Sequence, residues 1–309
     1  MSRGPDDEYF ADGLTEEILN SLTRVPQLLV TARTSAFHFK GQDIPVPEIA
    51  ETLGVAHIVE GSVRRDGDRL RVTAQLIRAA DGFHLWSQNY DRETVDTFGV
   101  QTNIAEEISS ALGIVLDDEQ REKMHAAGVR DPDAFIALQK AHEAYENAHA
   151  ASDLTSELRV ANAWYEKALE LEPGISGAYF SHADFYTHFL MDSIDHPEVP
   201  QAELDAAYQQ LVSDLDNAIR TAGDEPHRLA LSLDLAIVSG NWRSVPELFS
   251  HLVANSGCAG SAWADGAGVA YGSAADLAII GQRLVECDPL VFHGWRWLSL
   301  SQSWAGEFD

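Results

Sequence analysis

Twelve histidines and 49 acidic side chains make acid–base and metal chemistry the first possibilities to test. Their spacing does not organise either. His182 and His188 share a helix, but six residues apart they point in different directions. His142 and His149, at seven, align only loosely. A nucleophile elbow, a phosphate-cradling glycine loop, a zinc-protease helix and an EF-hand loop are absent from the sequence. Gly61-Ser62 and Gly260-Ser261 lack the flanking residues that would make either serine a nucleophile. Asp117-Asp118-Glu119 reads as a solvated helix end. No catalytic residue, cofactor site or metal site is therefore expected, and the chain is read as not an enzyme.

Two groups of residues suit recognition better. Five arginines stand between positions 64 and 78 of an otherwise acidic chain. Arg64, Arg69 and Arg71, with Trp86 and Tyr90 from a following strand, form a candidate docking face for an acidic partner or a second copy. Cross-strand ion pairing on a wet sheet face explains the same residues more simply. The second group, Phe180, Asp184, Thr187 and His188, is expected to face the inner groove of a repeat array described below, where peptides commonly lie, with plain scaffold filling as the simpler reading.

Positioning these residues takes two kinds of architecture. Val59, Gly61 and Val63 alternate with polar residues, then come Asp66-Gly67, then Leu70, Val72, Ala74 and Leu76 alternate again. That is a hairpin, and a turn at Asp66-Gly67 sets Val63 against Leu70 and Gly61 against Val72. A third strand is expected over His84–Tyr90, after a turn at Asp81-Gly82. Helices are expected from an Asp12 cap, from Pro47 to Leu53 with Gly54 closing it, and over Val100–Leu116. Leu28–Ala32 reads as a short buried strand.

Beyond residue 132 the period changes. Ala161, Tyr165, Ala168 and Pro173 follow the small–aromatic–small–proline spacing of a tetratricopeptide second helix. Leu277, Gly281, Leu284 and Pro289 repeat it in weaker form, as do Val245, Phe249, Leu252 and Gly257. Tyr179, Ala183 and Tyr186 follow Pro173 as a first helix should. Residues 148–157 and 190–200 read as inserted loops. The last helix carries Trp295, Trp297 and Trp304 with no second helix after it, which predicts either a truncated chain or an otherwise uncovered aromatic face hidden by self-association, most simply a dimer.

The expected fold is thus α+β and multidomain: a small α/β sandwich over residues 1–121, a linker over 122–132, and an all-α solenoid over 133–309. That solenoid would hold about four repeats and a terminal half repeat. In this register Cys258 opens one helix and Cys287 nears the end of its partner, so a disulfide is possible, as are two separate thiols.

Composition narrows the partners. A formal charge of −28 argues against nucleic acid and anionic lipid. No apolar run of about 18 residues is present, so no membrane insertion is expected. The protein, expressed as given, is expected in the cytoplasm.

Several motifs in order resemble a known domain. Glu8-Tyr9-Phe10-Ala11-Asp12-Gly13-Leu14-Thr15-Glu16-Glu17-Ile18, Ala32-Arg33-Thr34-Ser35-Ala36-Phe37, Leu53-Gly54-Val55, Val59-Glu60-Gly61-Ser62-Val63-Arg64-Arg65, Ala74-Gln75-Leu76-Ile77 and His84-Leu85-Trp86-Ser87 are similar to the TolB amino-terminal and FlgO families. The resemblance covers residues 6–115. It implies a sensing or interaction domain fused to tetratricopeptide repeats, as in bacterial adenylate-cyclase-associated and CadC-like signalling proteins, and a periplasmic location. It supplies no catalytic residues. The family has an apolar strand ahead of the position of Asp6 that is not seen here, which would leave a sheet edge open beside Leu28–Ala32. The function expected is a regulatory scaffold that binds a protein or peptide and self-associates. A small-ligand sensor coupled to a separate output domain is the alternative.

Overall fold

A computed structural model describes residues 5–66, 69–93, 96–126, 128–255, 270–290 and 292–305. Two compact units result, one of residues 1–132 with 281–296, the other of 133–280 with 297–309. The α+β expectation holds: a small antiparallel sheet accompanies a long helical region.

In the first unit, helix α1 spans Pro5–Leu22, α2 Arg33–Phe37 and α3 Val46–Leu53. Strands β1 His57–Asp66, β2 Arg69–Arg78 and β3 His84–Glu93 follow, then α4 Thr97–Ala111 and α5 Asp118–Ala126. The sheet order is β1-β2-β3, antiparallel throughout. Leu70, Val72, Ala74 and Leu76 are buried on one face. Helices α1 and α4 pack against each other and onto the sheet, with Phe10, Leu14 and Ile18 from the first and Val100, Ile104 and Ile108 from the second in the core.

The hairpin forms as the alternation predicts, but its register differs. Val63 lies opposite Val72, Gly61 opposite Ala74, and Asp66 opposite Arg69. The connection is therefore Gly67 and Asp68, which lie outside the described residues, and not Asp66-Gly67. The slip is of two residues, one full pleat, so every side chain keeps its face. Gly61 is required where it stands, because a Cβ there would run into the carbonyl oxygen of Thr73.

Other expectations for this unit need correction. Asp12 caps nothing; α1 begins at Pro5, whose fixed φ suits a first turn, and the Asp12 carboxylate accepts from Lys40 Nζ at 2.6 Å instead. Leu28–Ala32 is not a strand. It pairs with no described strand, Leu29 is 65% exposed, and the Ala32 N–H donates to the Cys287 carbonyl at 2.7 Å. No open sheet edge lies there. Helix α4 stops at Ala111, before Gly113 at φ +76°, so Leu112 and Val115 fall outside it. The expected linker is partly helical, since α5 occupies its start. Asp117 and Gln120 cap α5 reciprocally, each side chain accepting from the other's backbone N–H at 2.7 and 3.0 Å. Gly54 closes α3 at φ +67° as predicted.

The helical region comprises α6 Pro132–Ala150, α7 Leu154–Leu171, α8 Ser176–Asp192, α9 Gln201–Thr221, α10 Glu225–Val238, α11 Val245–Asn255, α12 Ala274–Cys287 and α13 Phe292–Ala305. Many of the positions singled out by spacing are buried, while Tyr179, Tyr186 and Leu284 are half-buried and Pro173 is exposed. Ala161, Tyr165, Ala168, Val245, Leu252 and Leu277 have no exposed surface, and Phe249 has almost none. Residues 148–157 are mostly helical, with only 151–153 between α6 and α7, and the extra length there extends the helices. The insertion after α8 is a 3-10 turn, Ser193–Asp195, and a short loop.

Residues 281–296 group with the first unit for a visible reason. Ser35, fully buried, donates to Asp288 Oδ1 at 2.5 Å and accepts from the Leu290 N–H at 3.1 Å. Trp297 is 1% exposed, not uncovered as expected. Gly294 lets α13 approach the α12 backbone at Val285 closely enough to leave no room for a Cβ. Trp295 and Trp304 do remain exposed, at 51% and 43%.

Candidate functional site

Helices α6, α7 and α8 build the most chemically suggestive surface of the second unit. Asp153 starts α7 by accepting from the Ser156 N–H at 3.1 Å. Ala148, Leu158 and Phe185, one from each helix, form a buried cluster joined by Tyr145, Leu154, Tyr186 and Phe189. Tyr165 is wholly buried, with its ring edge-on to His142 and Tyr145. This packing fixes the last turns of α6 beside the second half of α8.

At that point a polar group assembles. Tyr145 Oη donates to Asp184 Oδ2 at 3.0 Å. His149 Nε2 lies 3.3 Å from the same oxygen, and His188 Nε2 lies 3.7 Å from Asp184 Oδ1. His149 Nδ1 stands 3.0 Å from the Tyr145 carbonyl oxygen. A carbonyl only accepts, so the proton sits on Nδ1 and Nε2 is turned towards Asp184. The Asp184 carboxylate beside His149 raises the imidazole's pKa, and partial burial opposes the rise. Burial, then the Asp184 charge, pushes the Tyr145 phenol up.

Of the residues expected to line a groove, Asp184 and His188 belong to this group. Thr187 hydrogen-bonds to the Ala183 carbonyl of its own helix at 3.3 Å. Phe180 does not stand free: it packs against Ala183, Leu211 and Leu215 and against Ala218 and Leu231. A bulky apolar side chain gains more from that core than from water. His182 faces away from His188, as their spacing predicts. It is buried against α9, with Nδ1 2.7 Å from Asp214 Oδ2, and Gln210 donates to the other Asp214 oxygen at 3.0 Å.

Comparison with known proteins finds a curated relative. It is 36% identical over 236 residues to a protein of Rhizobium meliloti (strain 1021) named "Putative adenylate cyclase 3". The name is an enzyme's. The expectation that no enzyme is concerned is overturned by this finding. The match takes in 75% of this chain and 38% of that relative, so the chain spans well under half of the relative's length. No protein-family profile matches the chain.

The expected docking face divides into two. Arg69 and Arg71 are exposed on the outer face of β2, and Arg64 on that of β1. Trp86 and Tyr90 are on the other face: they pair with Leu76 and Val72, and the Trp86 Nε1 donates to Glu107 of α4 at 2.9 Å. The alternation of β3 allowed either face, and pairing with β2 decides it. On the outer face Arg71 makes a bidentate contact to Asp91, at 2.7 and 3.0 Å, and Thr73 donates to Asn89 at 2.6 Å. Ser62, Arg64, Arg71, Thr73, Asn89 and Asp91 surround an open depression of about 430 Å³. Cys287 is buried, whereas Cys258 lies outside the described residues. Among the described residues no helix is long and apolar enough to cross a membrane.

Proposed function

We propose that the natural protein containing these residues is a bacterial signalling enzyme of the adenylate cyclase kind. In it, the present residues receive a protein or peptide signal that sets cyclic AMP output. The observation that carries this is the 36% identity to a relative named as a cyclase, held over three quarters of the chain. Residues 1–121 act as the TolB amino-terminal-like domain and the helices from α6 onward as a tetratricopeptide-type solenoid. The burial of Ala161, Tyr165, Ala168, Phe249 and Leu277 at the repeat positions supports that reading. Recognition falls to the polar end of α6 and α8, where Tyr145, His149, Asp184 and His188 offer donors and acceptors beside aromatic surface. Trp295 and Trp304 give the chain a surface for self-association into a dimer. The test is cyclic AMP accumulation in a cyclase-deficient bacterium carrying the full natural protein, with and without substitutions at Asp184 and His188.

A further inference from the structure

The geometry points to a transition-metal site formed by His149 of α6 with Asp184 and His188 of α8, of the kind that takes a zinc ion. Nothing in the sequence spacing marks it, and it does not depend on the partner-binding reading above.

Three potential ligand atoms, one from each side chain, lie within 4.8 Å of one another. Zinc binds imidazole nitrogen and carboxylate oxygen at about 2.0–2.2 Å, which puts two ligands of a tetrahedral ion about 3.4 Å apart. The carboxylate already stands 3.3 Å from His149 Nε2 and 3.7 Å from His188 Nε2. Small side-chain rotations bring the two imidazoles to the same spacing. Two imidazoles and one carboxylate suit a borderline ion such as zinc better than calcium or magnesium, which prefer all-oxygen sites.

The surrounding hydrogen bonds are those a metal site uses. A ligating histidine ordinarily donates its other ring N–H to a carbonyl or carboxylate, which fixes the tautomer and aims the lone pair. His149 does this through Nδ1 to the Tyr145 carbonyl at 3.0 Å. The ligating carboxylate is itself usually held, and Tyr145 Oη holds Asp184 at 3.0 Å. Tyr145 thus positions both a nitrogen and an oxygen ligand. The side chains are partly exposed, at 38%, 24% and 30%, so an ion can enter from solvent and keep a fourth position open. The buried His182–Asp214 pair has none of this access.

The consequence is mechanical. A metal bound there cross-links the last turn of α6 to α8, ties the two helices together and raises stability with the logarithm of free metal concentration once that exceeds Kd.

The test uses the untagged 309-residue chain, stripped by a chelator and titrated calorimetrically with zinc chloride. One equivalent should bind. His149→Ala, His188→Ala and Asp184→Asn should each weaken binding by at least about tenfold, and Tyr145→Phe by up to about that much. Cobalt in place of zinc should give the intense visible bands of a tetrahedral ion. A readout on the unsubstituted chain guards against variants that fail to fold: long-range nitrogen–proton spectra should show Nε2 of His149 and His188 shifting on zinc addition. Unchanged binding by the His149→Ala/His188→Ala double variant would overturn the proposal. So would zinc shifts spread over other histidines, or no binding at all.

Discussion

His149 Nε2 and Asp184 Oδ2 stand 3.3 Å apart although they belong to different helices, and they are separated by about one repeat length of sequence. The buried cluster of Ala148, Leu158 and Phe185 holds the helices that carry them together. His188 joins because it is one turn beyond Asp184 on the same helix.

Tyr90 offers a check on the sheet's covered face. It is 4% exposed, and burial, reinforced by the Glu107 charge, pushes its phenol up to about 12. Its hydroxyl is buried with no hydrogen-bond partner. A phenol whose pKa rises on folding contributes stability that is complete below its unfolded value of about 10 and is lost as pH climbs towards 12. Alkaline difference spectra should show a late step from Tyr90, apart from those of Tyr145 and Tyr186, whose phenols burial also pushes up. Tyr90→Phe should remove that step and leave stability at pH 7 equal or higher by about 1 kcal/mol.

Gly61 reports on strand approach. Gly61→Ala should cost about 1–3 kcal/mol in urea unfolding, because the new methyl meets the Thr73 carbonyl oxygen and forces β1 from β2. A neutral effect would contradict the pairing of Gly61 with Ala74.

His182 and Asp214 test the α8–α9 interface. Both side chains are almost fully buried, so removing one leaves the other's polar group without its partner. Asp214→Ala should destabilise by on the order of 3 kcal/mol, read from the denaturant midpoint.

Trp295 and Trp304 carry the self-association expectation. Sedimentation of the chain should show a dimer, and the Trp295→Ser/Trp304→Ser variant a monomer at the same concentration. A stable interface has to bury roughly 1,000 Å² or more, which two exposed indoles help to supply.

Local pattern made much of this architecture legible. The alternation of Val59–Val63 and Leu70–Leu76 specified two strands and their faces, because burial on one side of a pleat leaves a period of two. It did not specify register, since Asp66-Gly67 and Gly67-Asp68 are both acceptable two-residue connections and a slip of two preserves every face. Nor did it place Trp86 and Tyr90, whose face depends on pairing with Leu76 and Val72. Leu28–Ala32 has strand-like composition, but a strand needs a neighbour, and the Ala32 N–H finds the Cys287 carbonyl instead. The His149–Asp184–His188 group is not legible in the sequence, because His149 meets Asp184 from a different helix. Spacing along one helix cannot show ligands that meet across two.

In the proposed function, the α6–α8 end receives the signal governing cyclic AMP output. The most direct measurement of this role is cyclic AMP in a cyclase-deficient bacterium expressing the full natural protein, unsubstituted or carrying Asp184→Asn with His188→Ala. At equal protein abundance, output should change by about fivefold or more, the size of a typical coupling between sites. Identical output from the two proteins, across growth conditions that alter cyclic AMP in the unsubstituted strain, would contradict it.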